Sequence, residues 1–368
     1  MYWVEEKIKF IFCFLVVGLM VNSFAIASDN EDSTISRTIH EKFNPGEFIF
    51  DHIGDEHEWP ITAIGHFSVA IPLPVILYSK ERGIVAFWST RFHHGESEYQ
   101  GFKLETEGKN RTKIVETRAD GTEVLPFDIS ITKNVAALLF SALLILVIFI
   151  SLGNSYKRRG LNAPKGLQSM IEPIILFIRD DVARPSIGNK NYEKFMPFLL
   201  TVFFFIWINN MLGLIPLAPG GANVTGNIAI TMVLALCTFT ITNINGNKQY
   251  WKHIVNMPGV PIWLKLPVPL LPLVETIGLF TKPFVLMVRL FANITAGHII
   301  GLGFLSLIFL FGEMKPFLGY SVSIVSISFI MFMTLLELLV AFIQAYVFTF
   351  LSALYFGMAI EEHHDEHH

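Results

Sequence analysis

Two apolar runs, about Pro267–Phe311 and Phe317–Ile360, constrain this chain more than any other feature. Over forty helical residues at 1.5 Å each reach ~60 Å, twice a ~30 Å hydrocarbon layer. Each run must therefore tilt strongly or break, with Pro283 and Gly297 as the expected bend points of the first. Three shorter runs, about 131–153, 196–217 and 224–245, are each long enough to cross a membrane once. With 52% hydrophobic residues and 34 phenylalanines, this is the composition of a polytopic membrane protein, not of a soluble core. The expected fold is all-α and polytopic: five membrane-crossing helices, the last two long and tilted, plus one interfacial amphipathic helix and a small β-rich extracytoplasmic module.

Lys/Arg placement sets the direction. The first run ends in Tyr156-Lys157-Arg158-Arg159, and the loop after the third carries Lys248, Lys252, His253 and Lys265. Both mark the cytoplasmic side. The turn with Pro216, Pro219, Gly220 and Gly221 has no Lys or Arg and faces outward. Five crossings from an outer start leave the acidic, His-rich tail, 363–368, in the cytoplasm. At the N-terminus, Lys7 and Lys9 precede an apolar run from Phe10 to Val21, and Ala25-Ile26-Ala27 is a small-x-small site. Residues 1–27 read as an export signal; a retained anchor is the alternative, but the run is short of the ~20 residues a span needs. Cys13 and Cys237 both lie in apolar runs, so no disulfide framework is expected.

Residues 28–130 form an extracytoplasmic extension. Ile71–Tyr78 and Ile84–Trp88 are β-prone, and Lys113–Arg118 with Thr122–Phe127 flank Ala119-Asp120-Gly121, a hairpin signal. About four strands are expected. The module holds His40, His52, His57, His66, His93 and His94 beside Asp51, Asp55 and Glu56, but their spacings fit no zinc pattern. They read as surface histidines, with no metal site. The sequence does not disclose the role of this module.

Between the first and second spans, Leu167, Met170, Ile171, Ile174, Ile175, Ile178 and Val182 recur at helical spacing. This helix lies in the membrane interface or against a partner subunit. Asn209-Asn210 sit near the outer end of the second span. Asn223, Asn227 and Thr231 fall at i, i+4 and i+8, a polar strip on one helical face. Such a strip lines an aqueous cleft or serves interhelical hydrogen bonds.

The chemistry concentrates in the two long segments. Arg289 sits among Val285–Val288 and Leu290–Ala292 with no local acidic residue. A guanidinium in mid-membrane costs at least ~2.5 kcal/mol. Snorkelling from a helix end fits poorly, because apolar residues flank it on both sides. Glu275, Lys282 and Arg289 recur every seven residues and share roughly one face. Asn293 follows one turn later. On the last segment Glu337 and Gln344 are also seven apart, and that helix runs the opposite way. If Gln344 is level with Arg289, Glu337 falls almost level with His298, ~13 Å farther outward. Two rungs result, Arg/Gln at mid-membrane and His/Glu nearer the outer face. Imidazole and carboxylate accept and release protons near physiological pH, whereas arginine stays charged. Together they describe a proton path interrupted by an electrostatic gate; the structural alternative is a satisfied Glu–His pair that locks two helices.

GLFTKPFVLMVRLFANITAGH, Gly278 to His298, resembles the signature of the F-type ATP synthase a subunit family, whose core is Arg-Leu-Phe-x-Asn-x-x-Ala-Gly. ELLVAFIQAYVFTFLSALY, Glu337 to Tyr355, resembles that family's Gln-Ala-x-x-Phe block. Glu275–Pro283, Asn209–Pro216 and Gly166–Gly188 match as well, so the resemblance covers about 131–362. It implies that Arg289 faces the carboxylates of a rotating c-ring, with Asn293 and Gln344 as its polar neighbours. His298 and Glu337 match the titratable pair of the outer half-channel, with residue types exchanged relative to some members. Glu275 matches an acidic position toward the inner half-channel. The resemblance further implies a hetero-oligomeric F1F0 complex in a bacterial inner membrane, with b subunits of a peripheral stalk and lipid as partners. Neither cofactor nor nucleic acid is implied, and no bond chemistry on this chain.

Rival classes lack their signatures. A secondary transporter predicts inverted repeats with paired broken helices, and no such symmetry is visible. An intramembrane hydrolase predicts His-Glu-x-x-His or a nucleophile elbow, and neither occurs. A sodium-translocating version of the same subunit is the nearer alternative.

Overall fold

A computed structural model describes residues 44–64, 67–95, 97–105, 112–118, 121–159, 164–215, 220–255 and 270–361. The signal segment 1–27, His40 and the tail 363–368 lie outside the described residues.

Among the described residues of the extension, helix α1, Pro45–Ile53, is followed by eight short strands where about four were expected. β1 (Glu58–Ile64) pairs antiparallel with β2 (Phe67–Pro72). β3 (Pro74–Ser79) lies between β4 (Gly83–Trp88) and β8 (Phe127–Asp128), and β6 (Ile114–Thr117) between β5 (Phe102–Leu104) and β7 (Glu123–Val124). The expected strand Ile71–Tyr78 divides at Leu73. Prolines at 72 and 74 supply no ladder donor, so one sheet ends and the next begins there. The Ala119-Asp120-Gly121 hairpin joins β6 to β7, with Gly121 at φ 79. Val75, Leu77, Phe92, Phe102 and Ile114 make the module's own core.

Trp59 and Leu73 belong instead to the core of the helical part. That core is built on α2 (Lys133–Arg159), α3 (Leu167–Phe177), α4 (Arg184–Ile187), α5 (Tyr192–Gly213), α6 (Ile228–Ile244), α7 (Lys248–Val255), α8 (Leu270–Met314) and α9 (Pro316–Ile360). Among the described residues, four helical stretches are long and apolar enough to cross a membrane: Lys133–Arg158, Tyr192–Gly213, Leu273–Met314 and Phe317–Ile360. α6 and α7, bent by 110° at their junction, make a fifth candidate when taken together.

The stretch expected at the interface is α3 continued by a π-helical turn, Ile178–Ala183, and α4. Ile171, Ile178 and Val182 are buried, whereas Leu167 and Met170 are exposed. Gly357 of α9 packs on the backbone of Ser186, where a side chain would not fit. One side of this stretch is thus docked on the chain itself. On the other, Asp180 bonds both Arg179 and Arg184, at 2.8 and 2.7 Å.

One expectation fails in α6, and α8 is continuous. The strip Asn223, Asn227, Thr231 does not share a helical face, because the helix starts only at Ile228. Asn227 is its N-cap and accepts from the Ala229 amide at 3.0 Å, the role an asparagine ahead of an apolar run serves well. α8, meanwhile, runs unbroken through Pro283 and Gly297 for 45 residues. Its join to α9 is Lys315 alone, in extended conformation, with Pro316 at the first helical position. Just beyond, Gly319 approaches the Gly312 backbone so closely that a Cβ would lie 2.8 Å from its Cα. Small residues let the two long helices meet at the hairpin.

Candidate functional site

α8 and α9 lie side by side in the register expected from their polar residues. Gln344 is 3% exposed and its Nε2 donates to the Arg289 carbonyl at 2.8 Å. The rung is therefore made through the Arg289 backbone, which leaves its guanidinium uncommitted. Arg289 and Asn293 are exposed on the open side of the pair. Among the described residues no carboxylate pairs with Arg289 within 4.0 Å.

On the C-terminal side of Arg289 along α8, a narrow cavity gathers most of the expected polar residues. It is lined by Asn209 and Asn210 of α5, Asn223 and Thr225 of the α5–α6 loop, Asn293 and His298 of α8, and Glu337 of α9. Its free volume, about 20 Å³, is room for roughly one water. Thr225 Oγ1 donates to Asn210 Oδ1 at 2.6 Å, and Asn210 Nδ2 donates to the Ala341 carbonyl at 3.3 Å. The side-chain amide of Asn223 and Oδ1 of Asn209 are buried without a protein partner among the described residues. Buried polar atoms of this kind demand water or another polar visitor. Asn227, used as a cap, does not join this lining.

Gly297 has a reason other than a hinge. A Cβ there would collide with Glu337 Oε1, so the missing side chain lets the carboxylate lie against α8 beside His298. Gly301 and Gly303 meet open space instead.

On the N-terminal side of Arg289 along α8, a second, wider cavity of about 280 Å³ is lined by Gln249, Tyr250 and His253 of α7, Glu275 and Lys282 of α8, and Glu361. Lys282 Nζ stands 5.6 Å from the centre of the Tyr355 ring. Glu275 and Lys282 were visible as a seven-residue ladder, but Gln249 and Tyr250 were not singled out. They reach the site only because α7 turns back by 110°, and nothing local in the sequence signals that bend. Along α8 the wide cavity touches residues 275–282 and the narrow one 293–298, with Arg289 between them.

Burial divides the helices sharply. Two-thirds of the apolar window of α5 is buried within the chain, but only 6% of that of α8 and 11% of that of α9. Large apolar side chains such as Phe280, Phe284, Leu335 and Leu339 stand open on the long pair. Lipid or another subunit must cover such a surface.

In the N-terminal module, His57 Nε2 bonds Asp128 Oδ2 at 2.8 Å. Burial opposes the charge on Asp128, but the bonds from His57 and Ser130 outweigh it and hold the carboxyl below its ordinary value. For Asp55, burial dominates and raises it, against bonds from the Asn134 amide and the Thr132 hydroxyl. Among the described residues no group of three His, Cys, Asp or Glu side chains could hold a metal ion.

Comparison with known proteins accords with this geometry. Residues 135–357, more than half of the chain, match the family described as ATP synthase A chain. Residues 48–134 match a family described only as a domain of unknown function. The chain is 46% identical over 254 residues to the ATP synthase subunit a of Chloroherpeton thalassium, covering 67% of this chain and 72% of that one. It is 48% identical over 252 residues to ATP synthase subunit a 2 of Chlorobaculum tepidum, covering 67% of each. With the Myxococcus xanthus subunit a it shares 45% over 248 residues, 65% of this chain and 77% of that one. The chain therefore belongs to the ATP synthase A chain family, that of subunit a of F-type ATP synthases.

Proposed function

We propose that this membrane subunit conducts protons to and from the c-ring of an F1F0 complex through two aqueous half-channels separated by Arg289. The observation that carries the reading is the order along α8: wide (inner) cavity, exposed guanidinium, narrow (outer) cavity. Protons from outside pass His298 and Glu337, with Asn209, Asn210, Asn223 and Asn293 holding water, and neutralise a c-ring carboxylate. Rotation carries them round, and they leave near Arg289 past Glu275 to the cytoplasm. The open apolar face of α8 and α9 receives the ring, and the exposed stripe Leu143, Val147 and Ile150 of α2 meets lipid or the b subunits of the peripheral stalk. The proposal includes five crossings of a bacterial inner membrane, the extension 28–130 outside after removal of 1–27, a membrane domain over 131–362, and the C-terminus in the cytoplasm.

His298 and Glu337 in one cavity suit a proton better than sodium, because imidazole and carboxylate each bind and release a proton. The test uses the reconstituted whole complex driven by an acid–base jump in sodium-free medium. Sustained ATP synthesis that a protonophore abolishes is the expected result. Synthesis that requires sodium and survives the protonophore would assign sodium instead.

A further inference from the structure

The extracytoplasmic module touches the helical part through a short strap, Asp55 to Trp59, and every element of it is tied down. Asp55 accepts from Thr132 Oγ1 at 2.8 Å and from the Asn134 amide at 3.0 Å. The Glu56 carbonyl accepts from the Lys133 amide at 2.8 Å, and His57 holds Asp128. Trp59 then reaches past α2: its indole Nε1 donates to the Gly220 carbonyl at 3.0 Å. Gly220 opens the loop whose next residues, Ala222, Asn223 and Thr225, line the outer cavity. Trp59, Ala222 and Val224 are 7%, 2% and 2% exposed and share one apolar core. The module also touches the helix that carries His298, where Phe48 of α1 packs edge-on against Phe309 at 6.0 Å, beyond the cavity lining.

We infer that the N-terminal module positions the outer wall of the proton-uptake cavity, and that Trp59 is the positioning residue that holds the Gly220–Asn227 loop over it. The chemistry fits the task. A buried indole N–H finds its partner in a backbone carbonyl, and position 220 takes a glycine because a Cβ there would collide with the Leu212 and Ile215 carbonyls. Without the bond the loop keeps Asn227 as a helix cap but loses its outer anchor, and Asn223 with it. The consequence for conduction rests on the half-channel reading above; the contact itself does not.

The experiment uses the assembled complex in oriented vesicles, with Cys13 and Cys237 replaced and Ala222→Cys as reporter. Its labelling rate by a membrane-impermeant thiol reagent added outside is compared in the parent and in Trp59→Phe, which keeps a ring but removes the donor. Labelling about fivefold faster is expected, the worth of one neutral hydrogen bond, with proton uptake from outside reduced by a similar factor. Val75→Ala, in the module's separate core, should leave labelling at the parent rate. Unchanged labelling in Trp59→Phe overturns the inference, and so does an equal rise in Val75→Ala, which would make the effect general loosening. Faster labelling with unaltered uptake upholds the Trp59 contact and counts against the cavity as the proton path. A readout that needs no Trp59 variant is amide exchange in the parent complex: the Gly220–Thr225 segment should exchange as slowly as β1, and exchange typical of a free surface loop contradicts the anchoring.

Discussion

Arg289→Ala abolishes proton-driven ATP synthesis by the whole complex and opens a passive proton leak through it. The guanidinium cannot deprotonate, lies between the two cavities, and presents its charge on the open face of α8. Opposite a carboxylate at ~4 Å, a fixed cation is worth about 4 kcal/mol at an effective dielectric of 20, some thousandfold in the ionisation of that carboxylate. Removing it lets a protonated carboxylate pass the gap without unloading and connects the inner and outer cavities for protons. The fold should survive, because Gln344 holds the Arg289 carbonyl, not its side chain. Synthesis after an acid–base jump and dye-reported leakage check both consequences; normal coupled synthesis in assembled Arg289→Ala complexes would falsify the gate.

Glu337→Gln slows proton uptake from the outer side by about two orders of magnitude or more, the scale on which a positioned proton-transfer group contributes. Glutamine keeps the shape and the fit against Gly297 but cannot ionise. Gly297→Ala approaches the same position differently: the added Cβ collides with Glu337 Oε1 and pushes an intact carboxylate away from His298. A smaller loss is expected there, and none for Gly301→Ala, whose added methyl meets open space. Uptake at the parent rate in Glu337→Gln would remove Glu337 from the path.

Much of this was legible before any coordinates. Run lengths fixed α8 and α9, and the seven-residue spacing of Glu337 and Gln344 against Arg289 and His298 sufficed to set the register of two antiparallel helices. What failed had local causes. Asn227 has a capping signal, an asparagine just ahead of an apolar run, which was taken for the interior of a longer helix. The fit of Gly297 against Glu337 is not legible, because the two are distant in sequence. Gln249 and Tyr250 belong to the inner cavity through a 110° turn between helices that depends on tertiary packing. The tie from Trp59 to Gly220 spans 161 residues, and no periodicity announces such a contact.

The central claim is that two water-accessible cavities open to opposite sides and do not communicate past Arg289. Sided thiol labelling tests it most directly, with Val340→Cys reporting from the outer lining and Leu279→Cys from the inner lining. In assembled complexes an impermeant reagent should modify Val340→Cys only from outside and Leu279→Cys only from the cytoplasmic side. Modification of both from the same side would contradict it.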